Sequence, residues 1–79
     1  MNATDTIARR VALTHELAPK VQRLRDHGLD DTLTAHQLQL AVGAVWGALA
    51  AGEPIRERVA GVAVIALAWL EQHAEDAAR

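Results

Sequence analysis

Apolar positions recur along the first third of the chain at the spacing of one helical face. Within residues 4–27 they lie three, four or seven residues apart, at Ile7, Val11, Leu17, Ala18, Val21 and Leu24. This spacing predicts a helix with a single apolar stripe. Thr4 or Asp5 can cap its start, and Gly28 can follow its end as the C′ residue.

Pro19 interrupts this first segment. Its nitrogen carries no hydrogen, so the helical bond to the carbonyl of His15 is lost, and the ring crowds that carbonyl. The interruption predicts either a kink within residues 16–19 or two short helices. We favour the kink, because the apolar stripe continues in phase on both sides of Pro19.

Two further helices are predicted after a short linker. Thr34 with Gln37 three residues later has the spacing of a capping box, which predicts a second helix over residues 34–51, ended by Gly52. Pro54 suits the first position of a third helix, predicted over residues 54–77. The carboxylates near the end of that helix oppose its dipole and predict fraying of its last turn: Glu71, Glu75 and Asp76.

No window between these turn signals alternates with a period of two, so the sequence offers no strand. We therefore predict an all-α fold, a three-helix bundle in which residues 1–79 form a single helical domain. Helices 2 and 3 are expected to form a tight αα-hairpin. Helix 1, kinked at Pro19, is expected to pack across that hairpin.

The second and third helices are apolar on nearly every side. Gln39 is the only polar side chain in residues 38–51, and residues 59–70 contain none. A helix that is apolar all round must be covered all round. Two neighbours in a three-helix monomer cover about half of a helix, so we expect a second copy of the chain to cover the rest.

Small residues and tryptophans suggest where that copy binds. Gly43 and Gly47 lie four residues apart on one helical face, which would let two helices approach closely, and Trp46 lies beside them. The alternative is that these are ordinary core residues within one chain. The predicted interface with the oligomer or a partner comprises Val42, Gly43, Trp46, Gly47, Leu49, Val62, Ile65, Ala66 and Trp69.

Composition narrows the possible classes of protein. The chain has 79 residues, 51% of them hydrophobic but only 3% aromatic, and no cysteine, so disulfides, cysteine-based zinc sites and thiol nucleophiles are excluded. Eight Lys and Arg against ten Asp and Glu give a net charge of −2. That balance lacks the positive charge of a nucleic-acid-binding domain, so we expect no nucleic-acid partner.

The same sequence gives no sign of a membrane or secretory segment. The first residues have neither a basic nor an apolar signal region, so we expect no signal peptide. The apolar stretch over residues 38–51 is shorter than the roughly 20 residues of a membrane span. We expect a cytoplasmic protein with no membrane partner, and the preference for Arg over Lys suggests a bacterial or phage origin.

No constellation of residues points to catalysis or to metal binding. The chain has no serine, no glycine-rich phosphate loop and no pair of histidines four residues apart. We expect all four histidines to be surface or cap residues: His15, His27, His36 and His73. Residues 32–52 contain no carboxylate, so the central helix cannot hold a magnesium cluster. We predict no catalytic residue, no metal ligand and no cofactor.

The C-terminal half resembles one family. Two stretches carry the likeness, LAVGAVWGAL at residues 40–49 and RERVAGVAVIALAWLE at residues 56–71, with Gly52 between them. They are similar to the second and third helices of MazG-like all-α nucleotide pyrophosphohydrolases, and the likeness covers roughly the last 45 residues.

In that family the first of these helices carries a Glu-Glu-x-x-Glu motif that binds magnesium. The matching positions here are Leu40, Ala41 and Ala44, which have no ligand atoms. The resemblance therefore implies a helical scaffold without the metal site. It also implies dimers or tetramers built by helix packing, as in the family.

Taken together, these features predict a small, cytoplasmic, non-enzymatic helical interaction protein that self-associates. A phage or plasmid accessory or inhibitory factor is one such role, and its partners would be itself and another protein. The alternative is a MazG-like nucleotide-binding or pyrophosphohydrolase-type protein with a degenerate site. DNA binding by a helix-turn-helix is the weakest reading, because residues 34–39 contain no Arg or Lys to reach phosphates.

The missing carboxylates lead to a prediction about catalysis. Purified protein incubated with magnesium and each nucleoside triphosphate should release no more pyrophosphate than a protein-free blank, because residues 32–52 offer no carboxylate to bind magnesium. An active pyrophosphohydrolase assayed in parallel provides the positive control. Magnesium-dependent release by this chain would overturn the non-enzymatic interpretation.

Overall fold

Residues 2–78 fold into three helices and no strand in the computed structural model, which describes that part of the chain. The helices are α1 (Ala3–His27), α2 (Asp31–Ala51) and α3 (Arg56–Ala77). The predicted all-α, three-helix fold is confirmed. The sequence pattern placed the end of each helix correctly and misplaced the starts.

Asn2 caps the start of α1. Its Oδ1 accepts a hydrogen bond of 2.9 Å from the backbone N–H of Asp5, so the predicted cap at Thr4 or Asp5 is wrong. Asn2 has the extended backbone of a capping residue, whereas both predicted residues already lie in the first helical turn. Gly28 ends the helix with a positive φ of 75°, as predicted.

Helix α1 runs without a break through Pro19. Leu17 and Val21, on either side of the proline, are both buried in the same contact with α3, while Pro19 itself is exposed. This shared packing holds the two halves in one helix although a backbone bond is missing. The alternative of two short helices is therefore wrong.

Asp30 caps α2, four residues before the predicted cap at Thr34. Its Oδ2 accepts from the backbone N–H of Leu33 at 2.8 Å, and its carbonyl accepts from Thr34 at 2.8 Å. Thr34 is therefore not the cap; it lies inside the first turn and is buried. The predicted capping box is wrong because an aspartate earlier in the linker provides the same kind of oxygen.

A Schellman motif ends α2. Gly52, with a φ of 71°, donates its N–H to the carbonyl of Leu49, and Glu53 donates to that of Ala48. Pro54 follows this motif and is not the first residue of α3, contrary to the prediction. The proline stands just beyond the helix end, where it cannot extend α2, and α3 starts after Ile55 without a side-chain cap.

Helix α3 lies between the other two. It packs against α2 to form the predicted hairpin and against α1 on another side, whereas α1 and α2 do not pack against each other within residues 2–78. The core at the α1–α3 contact consists of Leu17, Val21, Val64 and Ala68. Helices α1 and α2 therefore each have a single helical neighbour.

This arrangement is open and flat. Its principal extents are 40 × 34 × 17 Å, and the radius of gyration over Cα atoms is 14.4 Å. A compact domain of the same length would have a radius of gyration of about 11.6 Å. The chain on its own thus leaves much of its helical surface uncovered.

The continuous α1 gives a prediction for Pro19. Replacing it with alanine should raise the free energy of unfolding by up to about 3 kcal/mol, because a backbone bond and a good helix former are restored at an exposed site. Urea melts measure the change. Lys20→Ala, at the next exposed position, should stay within about 0.5 kcal/mol of the parent. A loss of more than about 1 kcal/mol for Pro19→Ala would contradict the prediction.

Candidate interaction surface

Asp31, at the start of α2, joins this helix to the C-terminal half of α3. Its Oδ1 accepts a hydrogen bond of 2.8 Å from Trp69 Nε1 and lies 2.9 Å from His73 Nε2. The hydrogen bond from Trp69, followed by that from His73, lowers the pKa of Asp31. Trp69, a member of the predicted interface, therefore contacts α2 of its own chain.

Arg25 joins the end of α1 to the end of α3. Its guanidinium bonds Glu71 at 3.1 Å and also bonds Glu75. These contacts, led by the hydrogen bond to Glu75, raise the pKa of Arg25. The guanidinium of Arg25 thus binds the carboxylates of Glu71 and Glu75, which lie one helical turn apart. Helix α3 continues through Ala77. The fraying of the last turn stays a prediction, which was made without this cation.

Two more polar contacts hold the helices in place. The side-chain amide of Gln72 bonds both backbone groups of Leu29, at 3.0 Å and 2.8 Å, and so anchors the loop between α1 and α2. Near the start of α3, Arg56 bonds both carboxylate oxygens of Glu16, at 3.1 Å and 3.0 Å, and this lowers the pKa of Glu16.

The α2 part of the predicted interface is exposed. All five of its members are exposed: Val42, Gly43, Trp46, Gly47 and Leu49. Trp46 is 69% exposed. A Cβ built on either glycine would have no neighbouring atom within 4 Å. The alternative that these glycines and Trp46 belong to the core of a single chain is therefore wrong.

The α3 part of the predicted interface is in a different environment. Its four members are half-buried in the chain itself: Val62, Ile65, Ala66 and Trp69. The indole N–H of Trp69 is already bonded to Asp31. The structure thus separates the predicted set into an exposed half on α2 and a half on α3 that packing within the chain partly covers.

Helical geometry places several exposed residues of α2 on one outward face. At 100° per residue, Gly43, Gly47 and Ala50 lie along the middle of the outward face. Leu40 lies on one side of them and Trp46 on the other, and both are more than 60% exposed. We call these five residues the α2 outer face. Leu40 and Ala50 are absent from the predicted interface, although a helical wheel drawn from the sequence could have identified them.

The α2 outer face carries no charge, since residues 32–52 contain no Asp, Glu, Lys or Arg. Within residues 2–78 no group of three or more His, Asp or Glu side chains is placed to hold a metal ion. Of the positions that match the MazG-like motif, Leu40 is exposed, and Ala41 and Ala44 are half-buried. An apolar contact is the interaction that this surface can make.

The histidines do not form a site. All four are exposed. His27 Nδ1 lies 2.7 Å from the carbonyl oxygen of Arg23 in its own helix, and His73 contacts Asp31. His73 therefore helps to orient the hairpin, a role that the sequence did not reveal because its partner lies 42 residues away.

No family model, no curated protein and no solved structure matches this chain. The resemblance to MazG-like pyrophosphohydrolases accordingly stays a hypothesis. None of the helices in residues 2–78 combines the length and the apolar character that crossing a membrane requires.

The contacts of Asp31 predict acid sensitivity. Because its pKa is lowered in the folded chain, the carboxylate stabilises the fold above its ordinary pKa of about 3.9, and this contribution is lost as the pH falls below that value. Asp31→Asn should therefore lose less stability than the parent between pH 6 and pH 3 in urea melts followed by circular dichroism.

Asp26→Asn is the matched control. The Asp26 carboxylate accepts a hydrogen bond from Gln22 in its own helix, so its replacement leaves the contact between α2 and α3 intact. Equal acid losses for Asp31→Asn and the parent would show that the contacts of Asp31 do not stabilise the hairpin.

Proposed function

We propose that this chain is a small helical interaction protein that self-associates, as a homodimer or a larger assembly, and has no catalytic chemistry of its own. The observation that carries the proposal is the amount of apolar surface that the single chain leaves uncovered. Its role would be to present helical surfaces to a protein partner, as an accessory or inhibitory factor does.

The total accessible surface shows how much more area this chain exposes than a compact monomer does. The accessible surface of the chain is 5920 Å². A compact monomer of 8.5 kDa would expose about 4,650 Å². The excess is about 1,300 Å², more than the roughly 800 Å² that each partner buries in a standard protein interface.

The exposed side chains show that this surface is apolar. Large hydrophobic residues are exposed on all three helices: Ile7, Val11, Leu13, Leu33, Leu40, Val42, Trp46, Leu49, Val59, Leu67 and Leu70. The buried hydrophobic core is smaller than this set and consists of Leu17, Val21, Ala48, Val64 and Ala68. Soluble monomers rarely expose contiguous apolar patches beyond a few hundred Å², so this pattern favours association.

The small core also links association to folding. A single core of this size supplies only roughly 3–5 kcal/mol, and a chain without cysteine cannot add a disulfide. Burial of the exposed apolar side chains against another copy would add to the stabilisation that the small core provides. We therefore expect the assembly to be more stable than the isolated chain.

Light scattering on a sized column tests the proposal. The mass should be at least twice 8.5 kDa, and the melting temperature should fall on dilution because binding stabilises only the folded state. Arg10→Ala, an exposed charge on α1, should leave both results unchanged. A monomer at micromolar concentration, with a melt independent of concentration, would refute the proposal.

A further inference from the structure

A cleft of about 350 Å³ opens between the end of α1 and the start of α2, two helices that do not pack against each other within residues 2–78. Its apolar wall consists of Leu24, Leu29 and Leu33. An apolar cavity of roughly 150 Å³ is large enough to hold benzene, so this cleft has room for a molecule of about six non-hydrogen atoms or more. We call it the α1–α2 cleft.

The hydroxyl of Thr34 opens into this cleft without a hydrogen-bond partner from the chain. Thr34 is 1% exposed and lines the cleft. Its backbone N–H bonds the carbonyl of Asp30, but its Oγ1 makes no hydrogen bond within residues 2–78. Every fully enclosed side-chain nitrogen or oxygen of the buried and half-buried residues there has a partner. The Thr34 hydroxyl is therefore the atom that retains the residual exposure, and the cleft is where it meets solvent.

Two other helical threonines satisfy their hydroxyls within their own helix. Thr6 and Thr14 each donate to the carbonyl oxygen four residues earlier, Thr14 at 2.9 Å. Thr34 has the carbonyl of Asp30 at the same spacing, yet its hydroxyl does not bond it. A buried hydroxyl without a partner destabilises the fold, so a molecule in the cleft that bonds this oxygen would remove that cost.

Acceptor atoms predominate among the other polar groups of the cleft. His27 Nδ1 lies 2.7 Å from the carbonyl oxygen of Arg23. Since a carbonyl only accepts, Nδ1 carries the hydrogen, and Nε2 of the neutral ring is an acceptor. Asp30 accepts from Leu33 through Oδ2 and retains Oδ1 as a further acceptor. Gln37 also lines the cleft, and its side-chain amide makes no hydrogen bond within residues 2–78.

The charge around the cleft is negative. Asp30 lines it, whereas no Lys or Arg of the described chain does so. The last carbonyl groups of α1 add the negative end of that helix dipole, and Asp30 caps the positive end of α2. Arg25, in the last turn of α1, is bound to Glu71 and Glu75. A ligand that carries positive charge and donates hydrogen bonds therefore complements the cleft.

We propose that the α1–α2 cleft binds a small aliphatic amine. The alkyl chain packs against the three leucines, and the ammonium group donates to the Thr34 hydroxyl and to the Asp30 carboxylate. An ammonium group has three donors and no acceptor, which matches a site rich in acceptors. A neutral alcohol lacks the charge, and Asp30 repels a carboxylate. This inference does not depend on the proposed self-association.

Titration of the isotopically labelled chain with pentylamine, followed by NMR, tests the site. The backbone amide signals of Gly28, Thr34 and Gln37 should shift and saturate. 1-Pentanol has the same number of non-hydrogen atoms without the charge, and pentanoate carries the opposite charge. Each should bind with a Kd about tenfold higher or more. Absence of saturable shifts at these residues would overturn the inference, and so would equal affinities for pentylamine and 1-pentanol.

Two pairs of variants test the atoms that hold the amine. Thr34→Val removes the hydroxyl and should raise the Kd of pentylamine about fivefold, whereas Thr32→Val, an exposed position of the same turn outside the cleft, should leave it unchanged. Asp30→Asn keeps a capping side chain without the charge and should raise the Kd about tenfold. Asp26→Asn, outside the cleft, should stay within about twofold because solvent and salt screen that charge. An unchanged Kd in both cleft variants would overturn the assignment.

The stability of Thr34→Val distinguishes a hydroxyl that binds a ligand from one that holds the fold. Without amine, the midpoint of its urea unfolding should equal or exceed that of the parent, because the hydroxyl bonds nothing within residues 2–78. A lower midpoint would show that the hydroxyl stabilises the fold and would overturn the inference. A monomer that binds pentylamine in this cleft would refute the proposed self-association and support the amine site.

Discussion

The whole structure depends on α3, because it is the only helix of the described chain that packs against two others. Val64 and Ala68 of α3 receive Leu17 and Val21 of α1, and no contact between α1 and α2 supplements this core. A layer of three helices joined through the middle one leaves the outer sides of α1 and α2 bare. The open shape and the uncovered apolar surface both follow from this constraint.

Polar contacts then fix how the outer helices are seated on α3. Packing among alanines and valines is not directional, so it permits several rotations of each helix. Asp31 bonds Trp69 and His73, which sets the side of α2 that faces α3. Arg25 bonds Glu71 and Glu75 and does the same for α1. By fixing the rotation of α2, the contacts of Asp31 also determine that Gly43 and Gly47 face outward.

The outward direction of these glycines connects the fold to the proposed function. Each glycine costs a helix interior about 0.8–1.0 kcal/mol relative to alanine, and neither is needed for packing within the chain. A close approach by another helix gives them a physical purpose. The proposed self-association would cover part of the apolar surface that the open fold leaves bare.

The sequence by itself determined the three helices, their ends at Gly28 and Gly52, and the excess of apolar residues on α2, because these depend on spacing and turn chemistry within a few residues. It misplaced the caps, since Asn2 and Asp30 compete with nearby Thr and Asp residues of similar chemistry. Only the tertiary structure decided that Trp69 faces α2, that Arg25 pairs with Glu71 and Glu75, and that Gly43 and Gly47 are bare. These features join residues up to 50 positions apart, and the relative rotation of packed helices, which no local pattern encodes, determines them.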